Sequence, residues 1–116
     1  MEFENNQSIY IQIADTLSDK IINGEYNPGE KIPSVRELAS EVGVNPNTIM
    51  RTYTELQSKG IIENKRGIGY FVTPMAFELV MQERKNIFFE KILPQFIKEA
   101  SQLGITSEEL KKHLDL

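Results

Sequence analysis

Residues 29–72 read GEKIPSVRELASEVGVNPNTIMRTYTELQSKGIIENKRGIGYFV. Within this stretch Ser34-Val35-Arg36-Glu37 has the form of a capping box. The serine hydroxyl can accept from the amide three residues on, and the glutamate can reach back to the serine amide. A helix is predicted from there to about Val42, with Val35, Leu38, Ala39 and Val42 facing inward and Gly43 ending it. Asn45 then stands as a second N-cap with Pro46 at the first helical position, and Val44 and Ile49 form a staple across the cap. This second helix continues to Lys59, with Gly60 beyond it and Ile49, Tyr53 and Leu56 as its buried stripe. Asn47, Thr48, Arg51 and Thr52 are left on the other side. Ile61-Ile62-Glu63 and Tyr70-Phe71-Val72 are short β-prone runs. The loop between them, Asn64-Lys65-Arg66-Gly67-Ile68-Gly69, has two glycines that permit positive φ. Two capped helices across a tight turn, followed by a basic hairpin, is the order of parts in a winged helix-turn-helix.

Upstream, residues 8–23 place Ile9, Ile13, Leu17 and Ile21 four apart, with Ile22 widening the stripe. An amphipathic helix is predicted there, ended by Gly24 and the Pro28-Gly29 turn. Residues 30–32 can form a small strand beside the hairpin. Downstream of Pro74 one long helical period links Leu79, Val80, Ile87, Phe88, Ile92, Phe96, Ile97, Ala100 and Leu103. Pro94 interrupts it, removing a backbone donor and opposing the carbonyl of Glu90, which costs about 3 kcal/mol in an ordinary helix interior. Because the apolar phase survives across Pro94, a kinked helix is predicted. Gly104 ends it. Thr106-Ser107-Glu108-Glu109 is a further capping box, stapled by Ile105 and Leu110, that opens a last helix through Leu114. The predicted fold class is mainly α with a small β-wing: a winged helix-turn-helix over residues 1–74 and a helical tail over 75–116.

A length of 116 residues suits one small domain with an appendage, and 40% apolar with 26% charged residues is ordinary globular composition. The absence of cysteine excludes disulfides and thiolate metal sites. No apolar run approaches the roughly 18 residues of a spanning helix, and the opening Met-Glu-Phe-Glu-Asn-Asn is no signal peptide. A soluble, cytoplasmic chain without a membrane partner is expected. The net charge of −4 looks adverse to phosphate binding until it is mapped. Residues 1–30 carry one base against six acids, residues 31–66 six bases against four acids, and residues 67–116 six against seven. Phosphate affinity follows the local face, and the positive segment is the helix-turn-helix and its hairpin.

Three features of that segment point to DNA. The second helix begins with short polar side chains, and Asn47, Thr48, Arg51 and Thr52 can bond base edges or phosphates. A capped, solvated helix face would use the same residue types. Arg36 sits near the amino end of its helix, where the macrodipole favours anions by roughly 0.3–1 kcal/mol, so a phosphate beside it explains its placement better than an intrahelical ion pair. Lys65-Arg66-Gly67 at the hairpin tip can follow a phosphate backbone or enter the minor groove, although charge also protects sheet edges. Catalysis finds no support. His113 is the single histidine, the carboxylates Glu108 and Glu109 are accounted for by capping, and Arg66-Gly67-Ile68-Gly69 lies between strands rather than in a phosphate loop. No catalytic, metal or cofactor site is predicted.

Residues 24–62, GEYNPGEKIPSVRELASEVGVNPNTIMRTYTELQSKGII, and residues 66–72, RGIGYFV, resemble the DNA-binding domain of the GntR family of bacterial transcription regulators. With the Ile9-Tyr10-x-Gln12-Ile13 opening, the resemblance covers about two-thirds of the chain. The Asn45-Pro46-Asn47-Thr48 form and the short tail ending LGITSEEL are similar to the YtrA-type subfamily. The resemblance implies that Ser34, Arg36, Asn45, Asn47, Thr48 and Arg51 lie at a DNA surface, with Lys65, Arg66 and Gly67 in the wing. It also implies a tail that pairs subunits, and a repressor of a nearby, often transporter, operon. The residues themselves favour pairing: Phe77, Val80, Ile87, Phe88, Ile92, Phe96 and Ile97 form an apolar stripe longer than a small domain can cover. The expected partners are double-stranded DNA with a palindromic operator and a second copy of the chain; an effector is not identified. Two rivals are a winged-helix protein-interaction module without DNA, and a small-molecule sensor with a pocket between domain and tail.

Overall fold

The computed structural model describes residues 7–116. Element order is α1 (Ile9–Ile22), α2 (Val35–Val42), α3 (Pro46–Ser58), β1 (Ile62–Lys65), β2 (Gly69–Val72), α4 (Ala76–Ile87), a π-helical turn (Phe88–Ile92), α5 (Leu93–Gln102) and α6 (Ser107–Leu114). The chain forms two compact units, the first running to Met81 and the second from Gln82 to Leu116.

In the first unit local chemistry sets each boundary. Ser34 and Glu37 make the full capping box: Ser34 Oγ accepts from the Glu37 amide at 3.2 Å and Glu37 Oε1 from the Ser34 amide at 3.0 Å. Gly43 ends α2 in the left-handed conformation at φ +79, which a side chain would strain. Asn45 Oδ1 caps α3 by accepting from the Asn47 amide at 2.8 Å. The hairpin is antiparallel, pairing Ile62 with Val72 and Lys65 with Gly69. The anticipated strand at residues 30–32 is reduced to a single bridge, Lys31 to Phe71, flanked by bonds from the Ile32 amide to the Tyr70 carbonyl and from the Val72 amide to the Glu30 carbonyl.

The core gathers Ile13, Leu17 and Ile21 from α1, Leu38 and Ala39 from α2, and Ile49, Tyr53 and Leu56 from α3. Ile32, Ile61, Ile62 and Val72 join it from the sheet side. Ala76 and Val80 of α4 complete it. Val80 was expected on the pairing stripe, but at 2% exposure it is a core residue and offers no surface to a partner. Its helix turns the wrong face: Ala76 and Val80, four apart, both point inward, whereas Phe77 points out.

In the second unit the helix runs on through Pro94 by way of a π turn. The Leu93 amide bonds to the Phe88 carbonyl five residues back, a π turn placed directly before the proline. That wider turn makes room for the pyrrolidine ring beside the preceding carbonyls, and Pro94 then falls in the first turn of α5, where a missing donor is tolerated. α6 opens on the Thr106–Glu109 capping box.

Tyr53 generates a stability prediction. Its side chain is fully buried and its hydroxyl donates to the Pro33 carbonyl at 2.6 Å. Tyr53→Phe should cost about 1–2 kcal/mol in urea unfolding at neutral pH, through the lost bond and the stranded carbonyl. Burial, first of all, raises the Tyr53 pKa above the ordinary 10.0. The folded chain therefore keeps a proton that the unfolded chain surrenders near pH 10, so stability is intact below that pH and falls above it by about 1.4 kcal/mol per pH unit. Tyr53→Phe should flatten this alkaline loss, leaving the smaller contribution of Tyr26, whose pKa burial also raises. Equal alkaline slopes in variant and parent would contradict the assignment.

Candidate nucleic-acid interface

Helix α3 is anchored on one face and open on the other. Among the outward residues Asn47 and Arg51 are exposed, with Thr48 half-buried beside them. Thr52 was predicted on this face and is not there. It is 0% exposed, with its hydroxyl 2.8 Å from the Tyr10 carbonyl of α1 and 3.1 Å from the Thr48 carbonyl. The single donor is shared between these two acceptors and the side chain is sealed beneath α1. Thr52 is a helix anchor, not a contact for any ligand.

Two aromatic rings outside the predicted site residues, Tyr10 and Tyr70, bracket the open face. The Arg51 guanidinium lies 4.2 Å from the centroid of the Tyr10 ring, a cation–π stack that orients it along the α1 side. On the wing side Tyr70 directs its hydroxyl at Met50 Sδ, 4.0 Å away. One turn on, the Glu55 carboxylate pairs with Lys59 at 3.3 Å, which offsets the one negative group on this helix.

Helix α2 brings Arg36 to the same region. Arg36, Ala39, Ser40, Val44 and Pro46 line a shallow hollow, so the arginine stands at the amino end of α3. The adjacent Glu37 does not draw it away, because that carboxylate is occupied by the cap. The Ser34 backbone bond, then the Ser34 side chain, holds its pKa below the usual value. Ser34 and Asn45 are both exposed, but each spends its side-chain oxygen on a helix amide.

At the hairpin tip Gly67 takes φ +78 and the Ile68 amide bonds back to the Lys65 carbonyl at 2.9 Å. Arg66 is exposed there. Lys65 is steadied on its own strand pair, with Nζ 4.4 Å from the Phe71 ring centroid and 4.0 Å from Glu63 Oε1. A third cation joins them. The Lys31 side chain crosses Gly69 so closely that a Cβ at position 69 would stand 2.7 Å from Lys31 Cε. Lys31 was not among the predicted site residues, though the short strand anticipated at residues 30–32 places it beside the hairpin.

The remaining stripe residues, Phe77, Ile87, Phe88, Ile92, Phe96 and Ile97, are all exposed. Within the second unit Phe88, Ile92, Leu93, Phe96 and Leu114 line an apolar hollow. Among the described residues no cluster of His, Asp and Glu could hold a metal ion, and no helix is long and apolar enough to cross a membrane.

Comparison with known proteins meets this geometry at both scales. Residues 9–72 match the family of bacterial regulatory proteins termed gntR. The HTH-type transcriptional regulator YhcF of Bacillus subtilis is 41% identical over 94% of this chain and 88% of its own length. The HTH-type transcriptional repressor YtrA of the same organism is 38% identical over 88% of this chain and 78% of its own. A GntR family transcriptional regulator from Listeria monocytogenes superposes with a TM-score of 0.79 at 35% identity, covering 97% of both chains. The DNA-binding domain of AraR, solved with operator ORR3, superposes with a TM-score of 0.57 at 32% identity over 63% of this chain and 88% of that one. The chain belongs to the GntR family of bacterial regulatory proteins, and its relatives are DNA-binding transcription regulators.

Proposed function

We propose that this protein is a homodimeric repressor that lays α3 of each copy in the major groove of a palindromic operator. The carrying observation is the placement of Arg36 beside the capped amino end of α3. A cation there opposes the helix dipole unless an anion completes the site, and a DNA phosphate is that anion. Asn47 and Arg51 then meet base edges or backbone, with Ser34, Asn45 and Thr48 at the margin. The wing, with Lys65, Arg66 and Gly67, follows the neighbouring backbone. The repressor role is supported by the 38% identity to YtrA, named a transcriptional repressor. A chromosomal target implies a cytoplasmic protein.

Pairing is assigned to the tail. Phe88, Ile92, Phe96 and Ile97 are exposed on a unit that buries Ala100 as its sole buried apolar side chain among the described residues. Covering even three such side chains at about 1.5–3 kcal/mol each offsets much of the cost of association. Two copies related by a two-fold axis would present two reading helices to a palindrome, whose half-sites lie about 34 Å apart when one helical turn separates them.

Arg36→Ala and Arg51→Ala should each weaken binding to a selected operator while leaving the domain folded. Loss of a phosphate contact lowers the salt slope by about one, and loss of a base contact relaxes one operator position by about 1–3 kcal/mol. Parent-like binding by both variants would reject the docking face.

The wing carries its own expectation. Changing Lys65 and Arg66 together to Ala should reduce the salt slope by up to about two with little effect on urea unfolding. An unchanged slope assigns both residues to protection of the hairpin edge.

For the dimer, the informative variants are Phe88→Glu and Phe96→Glu in the full chain, since cutting the chain at Pro74 would also remove Ala76 and Val80 from the core of the first unit. The parent should sediment as a dimer at micromolar concentration and both variants as monomers. A monomeric parent that still binds a palindrome would overturn the pairing.

A further inference from the structure

Met50 is the one large apolar side chain on the open face of α3, and it is 46% exposed. It follows Asn47 by three residues and precedes Thr54 by four, so helical spacing sets all three on one face, with Arg51 alongside. The face is otherwise polar. Tyr70 orients the thioether from the wing side at 4.0 Å, and the Tyr70 ring is itself fixed edge-on against Tyr53 at 4.7 Å between centroids. Met50 is therefore aimed but not covered. The Tyr70 contact orients this side chain without covering it, which leaves an apolar end open to a partner.

We propose that Met50 is a specificity-determining residue that reads a thymine by packing its thioether end against the C5 methyl group in the major groove. The inference rests on the docking of α3 proposed above. A thioether donates no hydrogen bond and neutralises no phosphate, so it gains nothing from the backbone. On the major-groove edge guanine shows N7 and O6, adenine N7 and N6, cytosine N4 and thymine O4, all of them polar. The thymine methyl is the apolar group among them. Position favours the same contact: Met50 lies one turn into the helix, on the amino-terminal half that reaches base edges in this docking mode. The polar part of the readout is left to Asn47 and Arg51, and an adaptable, polarizable methionine suits a methyl whose exact height varies with local groove geometry.

The test is thymine-by-thymine replacement with deoxyuridine, which removes the C5 methyl alone. An operator is first selected from random-sequence DNA with the full-length protein, and each thymine of a half-site is then exchanged. The parent should lose about fourfold in affinity per half-site at one symmetry-related position, the worth of one buried carbon at about 0.8 kcal/mol with 1.4 kcal/mol per tenfold. Met50→Leu should keep that penalty. Met50→Ala should bind the thymine and deoxyuridine operators alike while melting at the parent temperature. An operator whose every thymine tolerates deoxyuridine, or a Met50→Ala protein that retains the parent penalty, overturns the methyl contact and leaves the docking of α3 standing. Failure of the parent to select any DNA sequence overturns the docking as well.

Discussion

Two consecutive side chains, Thr52 and Tyr53, hold α3 in place, and every other feature of the open face depends on them. Thr52 ties the helix to α1 through the Tyr10 carbonyl. Tyr53 ties it to the Pro33 carbonyl at the entrance to α2 and packs against Tyr70 of the wing. Adjacent residues on a helix point about 100° apart, so one pair of neighbours braces the helix on two sides and leaves the opposite arc unobstructed. Both hydroxyls are buried with acceptors in reach, which makes these bonds costly to lose and the helix orientation correspondingly well defined. The same contacts reach outward. Tyr10 supplies the Thr52 acceptor from its backbone and the Arg51 platform from its ring. Tyr70 packs on Tyr53 and steers Met50. Anchoring and presentation thus share the same two aromatic residues.

The charge of the chain acquires meaning only through this arrangement. A total of −4 would repel a polyanion if it were spread evenly. The acids nearest the proposed interface are instead committed: Glu37 to the α2 cap, Glu55 to Lys59, and Glu63 within reach of Lys65. Lys31, Arg36, Arg51, Lys65 and Arg66 stand against them in the same segment of the first unit. A chain with this balance binds nucleic acid through geometry rather than through bulk attraction, which favours discrimination between sites over affinity for any DNA.

What the sequence made legible was local. The caps at Ser34, Asn45 and Thr106 involve partners two or three residues away, so helix starts could be read directly, and the glycine-ended helices and basic hairpin followed with them. The misplacements all came from partners distant in the chain. Thr52 looks like a surface threonine until Tyr10, 42 residues earlier, is brought against it. Val80 continues the helical period of the tail, yet the core of the first unit claims it. Lys31 gains its place by lying across Gly69, a contact that needs the hairpin already folded. Pro94 was legible as a disturbance that the helix survives, but the π turn before it was not, because no side-chain pattern marks a hydrogen bond shifted by one residue. Met50 and Tyr10 lie outside the predicted stripes of their helices, and their roles depend on Tyr70 and Arg51, partners that only the fold brings to them.

The second unit poses a different physical problem from the first. Thirty-five residues from Gln82 to Leu116 are too few to bury enough apolar surface alone, and their exposed phenylalanines and isoleucines show that they do not. On the proposed pairing, that deficit becomes the coupling between assembly and recognition. Covering Phe88, Ile92 and Phe96 would stabilise the tail and place a second reading helix in the same step, so the concentration of the protein would set both its order and its grip on a palindrome. The π turn lies within this stretch, at Phe88–Ile92. By admitting an extra residue into one turn it rotates the side chains that follow relative to those before it, and so sets which of them share a face. Pro94 and the bulge that accommodates it would then be a determinant of how two copies meet, rather than a defect tolerated in a surface helix.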